Sequence, residues 1–481
     1  MMRPTRWLLL ASMSALAGCA VGPNFQAPAP PTTTAYSPQA QPPYIDSVPS
    51  VIGGQSQHIA PETTAPVEWW KGFGSPALNA MVDEALKANP DLKSSEAALR
   101  QAKALMRAQA GAQLPTLDGS YQAQRAKNSD AIAPLLSDNS ELYSLHTAQL
   151  TVGYTLDVFG GLRRQTEAAA AQADQARFQY EAARLSLIAN VVAAAFQSAA
   201  LTRQIEAAQM NAKDIAQTLE LMRKQLRAGE IGVANLAAQE ALLAQANQAL
   251  PPLVKSLNAQ QSALAVLLGR EAGQGAPAPL DLGALTLPAE LPLTTPAVLV
   301  ARRPDVAAAE ANLHAASANV GVAIAARLPN ITLNATYGGA AQQLNQILNS
   351  GNNLWTLTGG VTQPIFEGGQ LKEKQKAAEA ALDQAKAQYR STVLGALKNV
   401  ADSLDALVRD AETLKAAEAA EVASCQSLTF AQKSRALGEG AAQDVLLAEE
   451  AVAQARSTLA IASAARFSDT AALYQALGDG A

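Results

Sequence analysis

Two periodicities divide this chain: hydrophobic residues recur at every second position over four short stretches and at helical spacing over several long ones. Leu117, Gly119, Tyr121 and Ala123 alternate with Asp118, Ser120, Gln122 and Gln124. Ala148, Leu150, Val152, Tyr154 and Leu156 alternate with Gln149, Thr151, Gly153, Thr155 and Asp157. The pattern returns at Ile331, Leu333, Ala335 and Tyr337, and at Trp355, Leu357, Gly359 and Val361. A period of two gives a strand one apolar and one polar face. It predicts four strands, at about 115–126, 146–159, 329–340 and 353–366. Elsewhere Leu185, Ile188, Val192, Ala195 and Ala199 step by three and four, as do Leu394, Leu397, Ala401, Leu404 and Val408. That is the seam of a coiled coil.

No proline falls between Pro134 and Pro251, or after Pro364. The stretch 162–228 can therefore run as one helix on the order of 100 Å long. Gly229-Glu230-Ile231-Gly232 and Gly438-Glu439-Gly440 break the long helices, and the chain returns through 233–268 and 441–477. Two helical hairpins follow. Shorter helices open at Asn89-Pro90-Asp91, with Asn as cap and Pro in the first turn, and at Pro304-Asp305; they stop before Pro115 and Pro329. Gly160-Gly161 and Gly368-Gly369 let the chain turn from sheet to helix, and the polar stretches 128–143 and 342–353 read as loops between paired strands.

The elements recur because the sequence does. A shift of 209 residues carries Leu162 to Leu371 (371 − 162), Asp174 to Asp383, Tyr180 to Tyr389 and Gly229-Glu230 to Gly438-Glu439. Upstream, Pro90-Asp91 matches Pro304-Asp305 and Leu114-Pro115 matches Leu328-Pro329. The chain therefore reads as internally duplicated, with a first repeat over 67–290 and a second over 291–481. The Pro-, Thr-, Ser- and Gln-rich stretch 19–66 reads as an extended strap outside the core.

The N-terminus supplies an address. Arg3 and Arg6 precede the apolar run Trp7–Leu16, and Leu16-Ala17-Gly18-Cys19 then resembles a bacterial lipobox. Residues 1–18 read as a signal peptide, and Cys19 as the acylated first residue of the mature chain, carrying palmitate-type chains. Ala20, rather than Asp, is compatible with sorting to the outer membrane. The formal net charge is −5 over 481 residues, which gives no encouragement to nucleic-acid binding. Cys425 is left as a single thiol, read as a small buried hydrophobe. No later stretch has 18 consecutive apolar residues, so no transmembrane helix is expected. Period-two strands also serve half-buried soluble sheets; the lipobox favours strands of a transmembrane barrel.

Four strands cannot close a barrel, and open edges in hydrocarbon leave backbone groups unsatisfied. Closure requires copies of the chain. Two would give eight strands and a filled interior, three would give twelve and an aqueous lumen. The polar faces (Gln149, Thr151, Thr332, Asn334, Thr356) favour three. The expected fold is an α+β membrane protein: four transmembrane strands per chain complete a twelve-stranded trimeric barrel, continued by a long α-helical tunnel in the periplasm.

The block Leu291-Pro292, Arg302-Arg303-Pro304-Asp305-Val306, Ala309-Glu310, Leu313, Gly321-Val322-Ala323 and Leu328-Pro329 resembles the signature of the outer-membrane efflux factors, the TolC/OprM/NodT-like lipoproteins. Cys19-Ala20-Val21-Gly22-Pro23-Asn24-Phe25 resembles the start of their mature chains, and Trp69-Trp70-Lys71-Gly72-Phe73 their entry segment. The resemblance implies a homotrimeric channel in outer-membrane lipid, docked to a periplasmic membrane-fusion adaptor and an inner-membrane pump of RND or similar type. Its work would be passive conduction of drugs or other toxic small molecules.

The resemblance also implies a tunnel end sealed near the second hairpin turn, where Asp444, Glu449 and Glu450 are the candidate gate residues. A frequent family Asp before Ala is matched here by Leu447-Ala448, which leaves the place of an acidic ring open. The two turns differ: Asn235 and Gln239 correspond to Asp444 and Ala448. Arg302, Arg303 and Asp305 read as local capping and ion pairing at a helix start. His58, His146 and His314 lack metal-ligand spacing, and no phosphate loop or nucleophile elbow is present. Nothing supports an enzyme, and no cofactor is expected. The competing reading is a lipid-anchored coiled-coil scaffold without a pore, which has no need of two-faced strands.

Overall fold

A computed structural model describes residues 20–38, 41–46, 48–127, 129 and 142–478. The signal peptide and Cys19 lie outside the described residues, as does most of the loop 128–141. In chain order the strands are β1 (Tyr44–Ile45), β2 (Gln57–Pro61), β3 (Thr116–Lys127), β4 (Leu142–Leu156), β5 (Glu290–Leu293), β6 (Asn330–Ala341) and β7 (Asn353–Thr362). The helices are α1 (Pro76–Ala88), α2 (Pro90–Gly111), α3 (Gly161–Arg227), α4 (Val233–Leu267), α5 (Pro296–Arg302), α6 (Pro304–Ala325), α7 (Gln370–Ala436) and α8 (Ala442–Leu477). Helices α3 and α7 have 67 residues each, and α2 and α6 have 22 each.

The chain divides into two compact units. The first gathers the described residues up to Pro28, Leu99–Ala176 and Ala309–Tyr389. Its centre is an antiparallel sheet in the order β3-β4-β6-β7. Residues directly opposite one another in such a sheet share a face, so the register decides whether the alternation of single strands adds up to a two-faced sheet. It does. Leu117 pairs with Val152, Val152 with Ala335 and Ala335 with Leu357, an apolar row across all four strands. One residue along, Asp118, Thr151, Thr336 and Thr356 form a polar row. The apolar face is bare in the single chain: Trp355, Leu357, Val361 and Leu117 are each about 70% exposed.

The strand ends differ from the expectation. β4 runs Leu142–Leu156 rather than 146–159, because its ladder with β3 continues to Lys127 opposite Leu142. It stops before Asp157, whose carboxylate instead accepts from the Leu162 and Arg163 amides (3.0 and 2.8 Å) and caps α3. β7 ends at Thr362 rather than 366, just before Pro364, which has no N–H to give a ladder. Residues 344–346 of the expected loop form a single 3-10 turn.

The second unit comprises Ala29–Ala98, Arg177–Ala308 and Arg390–Ala481. Here the strap expectation fails in part. β1 pairs with β2, and β2 runs parallel to β5, so residues 44–61 build a three-stranded sheet. Ile45, Val48, Gln57 and Ile59 are buried. A run rich in Pro, Ser and Gln concealed three buried hydrophobes, Ile45, Val48 and Ile59, that dock it. The core beside them is aromatic: Trp69 lies flat on Tyr474 (5.3 Å between ring centres, 7° apart), and Phe73, Phe196 and Phe467 meet edge-on or tilted. Burial pushes the Tyr474 phenol up to about 12.

In that unit α3 contributes Ile188, Val191, Val192, Ala195 and Ala199, all buried. Helix α3 contains a window apolar enough to cross a membrane, but it is 72% buried in the protein and belongs to the core. Arg466 is wholly buried and donates to the carbonyls of Leu407 (3.1 Å), Gln55 (3.2 Å) and Gly53 (3.3 Å). Nearby, burial first, then a hydrogen bond and the charge of Asp469, push Asp410 up to about 7, with Arg466 pulling it the other way.

Candidate functional site

The two hairpin turns are built alike. Helix α3 ends at Arg227 and Gly229 takes φ +77°; α7 ends at Ala436 and Gly438 takes φ +76°. The Gly229 and Glu230 amides donate to the carbonyls of Leu226 and Gln225, and those of Gly438 and Glu439 to Arg435 and Ser434. Both are Schellman closures, in which left-handed backbone at the residue after the cap favours glycine. The turns themselves are therefore equivalent.

The side chains beside them are not. On the first hairpin Glu240 of α4 accepts from Arg223 of α3 (3.1 Å), which also holds Glu220 (2.7 Å), all on the exposed surface. The 209-residue shift carries Glu240 to Glu449 (449 − 240) but Arg223 to Gln432 (432 − 223). The second carboxylate thus loses its cation. Glu449 is 3% exposed, and its two donors are neutral: the Thr218 hydroxyl of α3 (2.7 Å) and the Gln239 amide of α4 (3.2 Å). Gln239 is itself fully buried, and its amide also reaches the Ile215 carbonyl (3.3 Å), while its own carbonyl oxygen has no partner. Glu449 of α8 therefore ties the second hairpin to both helices of the first. Such a tie depends on every member, since a buried polar group left unpaired costs roughly 1–3 kcal/mol.

On either side of it along α3 the hairpins carry further contacts. Arg435 of α7 donates to Gln225 of α3 (3.1 Å), and Arg456 of α8 stands 3.6 Å from Asp214 of α3 and 3.7 Å from Glu421 of α7. Around the turns Leu221, Val233, Phe430, Leu437 and Leu447 are exposed.

Of the three acidic candidates, only Glu449 is drawn into this cluster. Asp444 is exposed and its carboxylate accepts from the Ala441 amide (3.1 Å), closing the start of α8. Glu450 lies on the exposed face of the same helix. Sequence reasoning missed Thr218 altogether; the one signal pointing to Gln239 was the mismatch between the halves.

The remaining chemistry-bearing residues have structural roles. Arg303 pairs with Asp305 (2.7 Å) and also donates to the Ala476 carbonyl (2.5 Å), so it joins α6 to the end of α8 as well as capping locally. Cys425 is half-buried rather than buried, and its thiol donates to Glu421 (3.3 Å). Burial, then the Glu421 carboxylate, raise its pKa, which suppresses the reactive thiolate. Among the described residues no group of His, Cys, Asp and Glu is arranged to hold a metal ion.

Residues 81–270 and 296–479 match the family model for outer membrane efflux proteins. The pyoverdine export outer membrane protein OpmQ of Pseudomonas putida is 32% identical over 416 residues, covering 86% of this chain and 88% of that protein. The solvent efflux pump outer membrane protein SrpC, also of Pseudomonas putida, is 30% identical over 395 residues, covering 81% of this chain and 80% of that one. The solved outer-membrane channel OprN superposes with a TM-score of 0.84 at 26% identity, over 96% of this chain and 99% of that chain.

Proposed function

Since the chain belongs to the outer membrane efflux protein family, we propose that three copies of it form the exit duct of a tripartite efflux system, through which small molecules pass passively. The observation that carries this reading is the sheet of the first unit. It has one continuous apolar face, one continuous polar face, and β3 and β7 at its two edges. In hydrocarbon those edges must be paired. Three copies supply twelve strands and a lumen wide enough for water, lined by Thr151, Thr336, Thr356 and their row-mates.

On this reading Cys19 carries the acyl chains that tether each chain to outer-membrane lipid, after residues 1–18 are removed. The two repeats, 67–290 and 291–481, each supply two strands and one helical hairpin. The hairpins of three chains would form the periplasmic tunnel, with their turns at its far end. The Glu449–Gln239–Thr218 tie holds the two hairpins of one chain together there. Opening must separate or slide them, so these residues work as a latch. Asp444 and Glu450, exposed in the single chain, are the candidates for an acidic ring about the axis, which would favour cations. The exposed Leu221, Val233, Phe430, Leu437 and Leu447 suit docking of a periplasmic adaptor that links the duct to an inner-membrane pump.

OpmQ and SrpC are named for pyoverdine export and solvent efflux. By analogy the cargo here is a class of small organic toxicants, selected by the pump. No catalytic chemistry is required. The test is the assembly state and permeability of the purified protein in liposomes. A three-chain assembly that lets small solutes cross supports the proposal, and an impermeable monomer contradicts it.

A further inference from the structure

The residues directly after Cys19 are held in a built socket. The Val21 amide donates to the Phe159 carbonyl (3.1 Å), at the junction between β4 and α3. Arg164, in the first turn of α3, is 4% exposed and spends its guanidinium on the same segment. It donates to the carbonyls of Val21 (3.1 Å) and Gly22 (3.4 Å) and to the Asn24 side chain (2.7 Å). Its remaining nitrogen pairs with Glu167 (2.7 Å), whose other oxygen lies 2.9 Å from His314 Nε2. The His314 ring stacks on Phe25 (4.3 Å between centres, 14° apart), closing the loop of contacts. Burial opposes the charge of Glu167, yet the hydrogen bonds from Arg164 and His314 hold its carboxyl below the usual range.

The backbone is shaped to match. Gly22 has φ +93°, and a Cβ there would fall 2.4 Å from the Gly321 Cα. A Cβ on Gly321 would fall 2.8 Å from the Val21 carbonyl oxygen and 2.9 Å from the Arg164 side chain. Gly160, at φ +77°, would bring one to 2.6 Å from Ala20. Three glycines thus leave room for a peptide strand and nothing else. A flexible tether needs no buried arginine, no stacked ring and no fitted backbone.

We propose that Arg164, Glu167 and His314 form a socket that seats Val21–Phe25 and so holds Ala20 beside Gly160, at the boundary between strand and helix, as a fixed starting point for the lipid anchor. Ala20 follows Cys19 directly in the sequence. Acyl chains carried by the residue before Ala20 then start from a point set relative to the strands, and the anchor acts as a register mark for the sheet instead of a slack leash. Arg164 is a positioning residue: its hydrogen bonds go to the Val21–Asn24 segment and Glu167. The inference rests on the lipoprotein reading only for the identity of what Cys19 carries.

The test uses full-length protein with Gln26→Cys in a Cys425→Ser background, a nitroxide at residue 26, and intact mass to read acylation at Cys19. The expected result is an immobile nitroxide in the parent. Gly22→Ala alters only the seated segment and is expected to free the nitroxide and broaden its depth distribution, with assembly and acylation unchanged. Arg164→Ala is expected to do the same, and Arg164→Lys, which keeps the charge but loses the fork of donors, to free it partly. A nitroxide as mobile in the parent as in Gly22→Ala, or still immobile in both Gly22→Ala and Arg164→Ala, overturns the socket. An immobile parent nitroxide on a chain without acyl groups supports the socket and overturns the lipoprotein reading.

Discussion

The amide of Gln239 and the carboxylate of Glu449, 210 positions apart in sequence, meet at 3.2 Å inside the hairpin ends, and neither side chain is exposed to more than a few per cent. They meet where positions related by the 209-residue shift carry different residues. Where the first half gives Glu240 an arginine, the second half offers Gln432, and the orphaned Glu449 turns inward to neutral donors.

If the chain forms the proposed duct, this relationship predicts how it opens. Glu449→Ala removes the carboxylate that joins Thr218 to Gln239, and is expected to loosen the hairpins by about 1–3 kcal/mol. Cells carrying the variant should become more sensitive to a large antibiotic normally excluded by the outer membrane. Glu240→Ala, which removes only an exposed pair, should leave sensitivity unchanged. Equal sensitivity of the two variants would remove Glu449 from the latch.

The two faces of the sheet predict opposite tolerance at neighbouring positions. Leu357→Arg places a cation on the apolar face, at a cost of about 2–4 kcal/mol near the bilayer midplane. Thr358→Arg, one residue on, faces the polar side. The first is expected to abolish assembly in the membrane, read by native mass of detergent extracts. The second should assemble and shift ion selectivity toward anions.

The strand pattern was legible because a period of two survives without any knowledge of neighbours, and the hairpin turns because Gly229 and Gly438 are the residues left-handed backbone favours. The contribution of Ile45 and Ile59 to the core was not. They sit in short mixed runs, Tyr44-Ile45-Asp46 and His58-Ile59-Ala60, without a sustained period, and no window of local sequence distinguishes a docked strand from a loose strap. The Glu449 cluster was half legible: Glu449 could be flagged as acidic and near a turn, but its burial depends on Thr218 and Gln239, brought in by packing between distant helices. Strand ends were missed where a cap or a proline, Asp157 or Pro364, overrode the alternation.

Asp410 gives a pH dependence with a defined sign. Its folded pKa of about 7 lies above its ordinary value of 3.8, so the folded state holds a proton that the unfolded chain has released. Its contribution therefore falls as pH rises through that window. Thermal unfolding is expected at lower temperature at pH 8 than at pH 5.5, and Asp410→Asn should flatten the difference and raise the midpoint at pH 8. An unchanged slope in the variant would assign the dependence to other groups.

The aromatic cluster sets the cost of core damage in the second unit. Trp69→Ala removes a ring that is 1% exposed and stacked on Tyr474, a loss of about 3–5 kcal/mol. Trp69→Phe should retain most of the stability. Limited proteolysis across a temperature series separates the two.

The central claim is that copies of this chain enclose a water-filled path. Single-channel recording of the purified protein in planar bilayers tests it most directly, with the native chain and Glu449→Ala run side by side. The account predicts discrete conductance steps in both, larger or longer-lived in the variant, and none when Leu357→Arg is added. A bilayer that stays electrically silent with native and Glu449→Ala protein, at a membrane content shown to be equal, would contradict it.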